Sequence, residues 1–146
     1  MNIVVKNFEE LNTTELYELL KLRSEVFVVE QDCVYLDVDG KDQRALHVMA
    51  YVDDILIAYA RCFKPGDYFD KASIGRILVR DNNRKLGYGH KITNAAIKAI
   101  QEIYNAESIK ISAQVYLVMF YESHGFKTYG DRYLEDGIPH IAMIRA

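Results

Sequence analysis

The chain predicts an α/β protein: one mixed sheet with helices packed on both faces. Three observations carry this. The runs 45–52 and 55–63 are apolar at nearly every position, the pattern of strands covered on both sides. Stripes of helical period precede and follow them. Strands and helices do not alternate regularly, so the sheet is mixed and not a repeated βαβ array.

Residues 3–6 form a short first strand. Thr13 or Thr14 caps a helix that runs through Phe27, with Leu16, Leu19, Leu20, Leu22, Val26 and Phe27 near helical spacing. Residues 28–44 read as irregular, with a helical turn near Glu30. Two strands follow, Ala45–Val52 and Ile55–Phe63, joined by a tight turn at Asp53-Asp54. Lys64–Lys71 is a loop with Pro65-Gly66. Ala72–Arg80 is a further strand, and Gly75 inside it points to a bulge or a close approach.

A helix then reaches about Tyr104, with Ile92, Ala96, Ile100 and Ile103 on its buried stripe. Ser108–Ala113 is a strand and Val115–Ser123 a short helix. Phe126–Tyr129 and His140–Arg145 close the sheet.

With 146 residues, half of them apolar and 27% charged, a single globular domain spanning 1–146 is expected. No run approaches the roughly 20 residues of a membrane helix. Cys33 and Cys62 suit neither a disulfide framework nor a metal site, so a reducing cytoplasm and no metal are expected. A net charge of -3 and the lack of a long basic tract argue against nucleic acid as a partner.

The chemistry concentrates in Arg84-Lys85-Leu86-Gly87-Tyr88-Gly89-His90, between a strand and a helix. Glycines one residue apart allow a tight turn. The helix start adds unpaired N–H groups and partial positive charge, which suits phosphate. Ile92 stands where the dinucleotide fingerprint needs its third glycine, and no P-loop string occurs. From Arg76 to Lys91, five basic residues (Arg76, Arg80, Arg84, Lys85, Lys91) face only Asp81, a local net of +4. A glycine-relaxed turn on a solvated basic face is the plainer alternative.

R-x-x-G-x-G after a strand resembles the acyl-CoA pyrophosphate loop of the GNAT N-acetyltransferases. Downstream, Ala113-Gln114 and Phe120-Tyr121-Glu122-Ser123-His124-Gly125-Phe126 are similar to the family's segment in which a polar residue ends a strand and a Tyr precedes Gly-Phe. Val26–Gln31, Asp39-Gly40, His47, Ile74-Gly75-Arg76 and Glu135–His140 resemble the ElaA-like branch.

The resemblance implies the acyl-CoA N-acyltransferase fold, with six to seven strands. It implies acetyl-CoA as co-substrate and a primary amine as acceptor, joined by direct attack in a ternary complex. A non-catalytic acyl-CoA-binding module on the same fold is the alternative. Ile77-Leu78-Val79 would hold the pantetheine arm and thioester, with a backbone N–H, that of Leu78, stabilising the oxyanion. Arg84, Lys85, Gly87, Tyr88, Gly89 and His90 would cradle the pyrophosphate, and Gln114 would bind the pantetheine. Tyr121 would be the general acid; a buried tyrosine with a satisfied hydroxyl is the plainer role. A homodimer through the closing strands stays open.

An alkylammonium must lose a proton before it attacks, which costs about 4–5 kcal/mol at neutral pH. Glu30, His47, Glu135 and His140 are the candidate bases. Residues 28–44 carry Glu30, Asp32, Asp37, Asp39 and Asp42 against Lys41 and Arg44, a net of -3. A cleft flanked by these loops would attract a cationic amine; a solvated acidic loop is the plainer reading.

Overall fold

The computed structural model describes all 146 residues. In chain order the elements are β1 (Asn2–Asn7), α1 (Thr13–Arg23), β2 (Leu46–Val52), β3 (Ile55–Phe63), β4 (Ala72–Val79), α2 (Tyr88–Ile103), β5 (Ile109–Gln114), α3 (Val118–Glu122), β6 (Lys127–Glu135) and β7 (Ile138–Arg145). One seven-stranded sheet has the order β1-β2-β3-β4-β5-β7-β6. Only the β4–β5 pair is parallel.

The doubly apolar strands separate two cores, as expected. Val48, Ala50, Ala58 and Ala60 pack toward α2 with Ile92, Ala96 and Ile100. Met49, Leu56, Tyr59 and Leu78 pack on the other face with Leu19, Leu22 and Val26. Asp53 and Asp54 form the expected turn, both with positive φ.

Three boundaries differ from the sequence reading. The first helix is capped by Asn12, not Thr13 or Thr14. Asn12 Oδ1 accepts from Glu15 N at 2.8 Å and Glu15 Oε1 accepts from Asn12 N at 2.9 Å, a reciprocal capping box. Beyond Arg23 the helix continues as a π-helical segment, Ser24–Glu30, which places Val26, Phe27 and Glu30 on the cavity described below. The closing strands are longer than Phe126–Tyr129 and His140–Arg145. They meet at Asp136-Gly137, where both residues have positive φ, a two-residue hairpin turn. β6 is exposed throughout, so residues 130–135 carry no apolar alternation to mark the rest of the strand.

The largest departure lies in residues 35–44. Asp37, Asp39 and Asp42 neither form a solvated acidic loop nor offer their charge to a substrate. Arg23, 0% exposed, donates to Asp37 Oδ2 at 2.8 Å and Asp42 Oδ1 at 2.7 Å. Arg61, 1% exposed, donates to Asp42 Oδ1 at 2.9 Å and Asp39 Oδ2 at 2.8 Å. Arg76 donates to Asp37 Oδ1 at 2.8 Å and to the Asp37 carbonyl at 3.0 Å. Three carboxylates and three guanidinium groups thus neutralise one another under the sheet.

This network makes stability acid-sensitive. Burial pushes the Asp39 carboxyl up, but the hydrogen bonds and charge of Arg61 outweigh it and hold the group at about 2. Asp42 is lowered for the same reasons, with Arg23 and Arg61 as partners. The folded values lie below the unfolded value of about 3.9. Their contribution is therefore full above about pH 4 and is lost as pH falls toward about 2. Denaturant unfolding from about pH 6 to 2 should show a steeper loss for the wild type than for Asp39→Asn. Parallel curves would contradict the network's contribution.

Candidate active site

β4 and β5 pair only at Ala72–Ile109 and Ser73–Lys110, then part. The gap opens into a cavity of ≈ 770 Å³. Its walls come from β4, β5, the glycine loop, α3, the π-helical segment and the β6–β7 turn.

The bulge expected near Gly75 is present. Arg61 pairs with Gly75 and Tyr59 with Leu78, so β4 carries one extra residue. Arg76 takes φ 51° there, and its side chain is anchored on Asp37. A Cβ at Gly75 would meet nothing within 4 Å, so the glycine is not required by close packing.

The ladder phase turns the Leu78 N–H, expected to face a thioester oxygen, away from the gap. Arg80 N donates to Ile57 O at 2.7 Å, so Arg80 and Ile57 form a hydrogen-bonded pair. Antiparallel pairs alternate, so Leu78 turns its N–H toward Tyr59 on β3. Ile77 and Val79 turn theirs toward the gap. The Val79 carbonyl also points away from β3, because it accepts from Arg84 Nε at 3.0 Å. The Leu78 side chain, 4% exposed, is core.

Gly87 caps α2 with φ 83° and no side chain caps the first turn. The first intrahelical bond runs from Lys91 N to Gly87 O at 3.2 Å, leaving the N–H groups of Tyr88, Gly89 and His90 facing outward without helical acceptors. Gly89 lies against Phe120, whose ring atoms would be 3.5 Å from an added Cβ.

The local +4 is less available than its count suggests. Arg76 is held by Asp37, and Arg80 donates to the Leu56 carbonyl at 3.0 Å. Arg84 forms a two-point pair with Glu30, one bond at 2.9 Å, tying the loop to the π-helical segment. Lys85 and Lys91 carry no ion pair. His90 Nδ1 lies 2.9 Å from His124 Nε2.

Tyr121 is 7% exposed, and its ring packs against Phe120 and Phe126. Its hydroxyl makes no hydrogen bond to protein and is not among the enclosed unpaired atoms, so it opens into the cavity. The plainer role, a satisfied core tyrosine, does not describe it. Burial pushes the phenol pKa up, which keeps it protonated. Gln114 lines the same cavity.

At the hairpin end, Tyr133 OH lies 2.5 Å from Ser112 Oγ, which donates to Glu135 Oε1 at 3.1 Å. Glu135 Oε2 lies 3.4 Å from His140 Nε2, and His140 Nδ1 lies 2.7 Å from the Ile138 carbonyl. The Cys33 thiol also lines the cavity and donates to the Asp136 carbonyl at 3.4 Å; no histidine or carboxylate side chain is bonded to it.

Of the four candidate bases, the structure brings Glu30, Glu135 and His140 to the cavity and excludes His47. His47 is 0% exposed, sandwiched between Tyr59 OH at 2.5 Å and the Asp42 carbonyl at 2.9 Å. Sequence reasoning missed Ser112 and Tyr133, and no residue pattern marked either. No group of three or more His, Cys, Asp or Glu side chains is placed to hold a metal, and no helix is long and apolar enough to cross a membrane.

A sheet split between β4 and β5, with a glycine-started helix at the mouth of the gap, defines an acyl-CoA N-acyltransferase fold. Comparison with known proteins agrees. The acetyltransferase (GNAT) domain family matches residues 12–146. Protein ElaA of Escherichia coli is 38% identical over 93% of this chain and 90% of its own. A UPF0039 protein of Synechocystis is 42% identical over 95% of this chain and 91% of its own. The crystal structure of an acyl-CoA N-acyltransferase from Pseudomonas aeruginosa superposes with a TM-score of 0.94 at 39% identity, covering 100% of both chains. That of E. coli ElaA superposes with a TM-score of 0.93 at 35% identity, covering 99% of both. The chain belongs to the GNAT acetyltransferase family, in its ElaA-like branch.

Proposed function

We propose that this protein transfers an acetyl group from acetyl-CoA to a primary amine, by direct attack in a ternary complex. The observation that carries the reading is that four features share one cavity. It joins an uncapped helix start, a split sheet with ladder-free N–H groups, an unbonded tyrosine hydroxyl and a polar hairpin end.

In this reading the N–H groups of Tyr88, Gly89 and His90 donate to the pyrophosphate, with Lys85 beside them. Val79 and Gln114 hold the pantetheine arm. The Ile77 N–H donates to the thioester oxygen as negative charge develops there, a preorganised contribution that needs no rearrangement during reaction. Tyr121 gives its proton to the departing sulfur. Cys33 lacks an activating base, which favours direct transfer over a covalent acyl-enzyme.

Calorimetric titration with acetyl-CoA, followed by an amine library read out as CoA thiol release, tests the proposal. Saturable binding and amine-dependent release are expected. Binding without release from any amine would assign the protein as an acyl-CoA-binding module. Absence of binding would remove the donor assignment itself.

A further inference from the structure

We infer that Glu135 and His140 form the base that deprotonates the acceptor, with His140 Nε2 taking the proton and Glu135 holding the charge that results. The inference rests on the transferase reading and supplies the step that reading leaves without a residue.

The hydrogen-bond directions leave little choice. The Ile138 carbonyl only accepts, so the bond at 2.7 Å fixes the His140 proton on Nδ1. Nε2 then carries a lone pair, and it faces Glu135 Oε2 at 3.4 Å. That separation is long for a hydrogen bond, and two lone pairs oppose each other across it. A proton arriving on Nε2 converts this opposition into a charge-assisted contact.

Glu135 is held ready for it. Ser112 Oγ donates to its other oxygen at 3.1 Å, and the Tyr133 hydroxyl, 2.5 Å away, then donates to Ser112. Donation therefore runs from Tyr133 to Ser112 to Glu135, whose other oxygen faces the imidazole as an acceptor. Tyr133 also stacks on the His140 ring at 6.2 Å between centroids. His140 is 6% exposed and Glu135 exposed, so the imidazole is sheltered while the carboxylate meets the cavity.

The other candidate is already engaged, because Glu30 is paired with Arg84. Polar or titratable groups around the imidazole are Tyr133 and Glu135 on β6, Asp136 in the turn, and Ser112 and Gln114 on β5. Cys33, Tyr35 and Arg76 line the same cavity from the opposite side. Arg76 is ion-paired with Asp37 and Arg84 with Glu30, whereas Glu135 is the carboxylate that lies beside the imidazole.

The proton balance closes. The ammonium loses one proton to His140 Nε2, directly or through one water. The nitrogen lone pair forms the N–C bond and the C–S bond breaks. Tyr121 supplies a proton to sulfur and regains one from the amide nitrogen. His140 releases its proton to solvent, the single proton set free per turnover.

Two measurements on the full chain test this. Imidazole ¹⁵N NMR should show His140 as the Nδ1–H tautomer, the state set by its bond to the Ile138 carbonyl. An Nε2–H tautomer overturns the assignment. Acetyl transfer to ethylamine and to 2,2,2-trifluoroethylamine gives the second readout. The fluorinated amine is neutral at pH 7 and needs no base. His140→Asn should lower the ethylamine rate by about 10²-fold and the fluorinated-amine rate by less than threefold. Equal losses for both amines, or none, overturn the base role. Acetyl-CoA affinity, measured by calorimetry on each variant, confirms folding. A wild type that binds no acetyl-CoA overturns the transferase reading and the base role with it, whereas active wild type with an unselective His140→Asn overturns the base role alone.

Discussion

Asp42→Ala is expected to cost about 3 kcal/mol of folding stability, the low end of the range for breaking a buried ion pair. Asp42 Oδ1 accepts from both Arg23 and Arg61, at 2.7 and 2.9 Å. Its removal leaves two enclosed guanidinium groups each short of an acceptor. Arg23 retains Asp37 and Arg61 retains Asp39, which keeps the loss from the top of the range. The Arg61 Nε is already enclosed without a partner, so the cluster has no spare acceptor to offer. Denaturant unfolding should show a lower midpoint with an unchanged slope. A change below about 1 kcal/mol would mean that water, and not protein, solvates these arginines.

The same cluster reaches the chemistry. Asp37 anchors Arg76 at the β4 bulge, one residue before Ile77. Loosening the network should therefore lower acetyl transfer as well as stability, although none of its carboxylates touches a substrate in the proposed reaction.

Tyr121→Phe should lower turnover by about 10²-fold, the size of a lost general acid. Acetyl-CoA affinity should stay within about twofold and thermal stability should be unchanged. The ring remains packed between Phe120 and Phe126, and removing a hydroxyl with no protein partner orphans nothing. Burial raises the phenol pKa, so no alkaline limb from this residue should appear below about pH 10. Thiol release against pH checks the turnover and the alkaline limb, calorimetry the affinity, and thermal melting the stability. Wild-type turnover in the phenylalanine variant would take Tyr121 out of the reaction.

Much of this molecule is readable from its residues. Apolar runs at 45–52 and 55–63 give the covered sheet, and Gly87 and Gly89 give the helix start. Two further local signals are present in the chain. Asn12 three residues before Glu15 is a capping box, and Asp136-Gly137 is a hairpin turn. Arg23 lies in line with Leu16, Leu19 and Val26, and an arginine in an apolar stripe requires a buried counter-ion. The acidic residues that answer it are 14 and 19 positions away. At that separation no local pattern links these carboxylates to Arg23.

Residue type and order alone determined the covered sheet, the glycine-started helix and the Gly125 stop after Tyr121, because each depends on contacts between neighbours or on a repeating pattern. Tertiary structure decided which backbone N–H of β4 faces the gap, which histidine is core and which meets the cavity, and which charges are already spent on one another. Those outcomes depend on ladder phase and on pairings across the sheet. A one-residue bulge at Arg76 or a carboxylate brought back under β3 changes them without altering any local pattern in the chain.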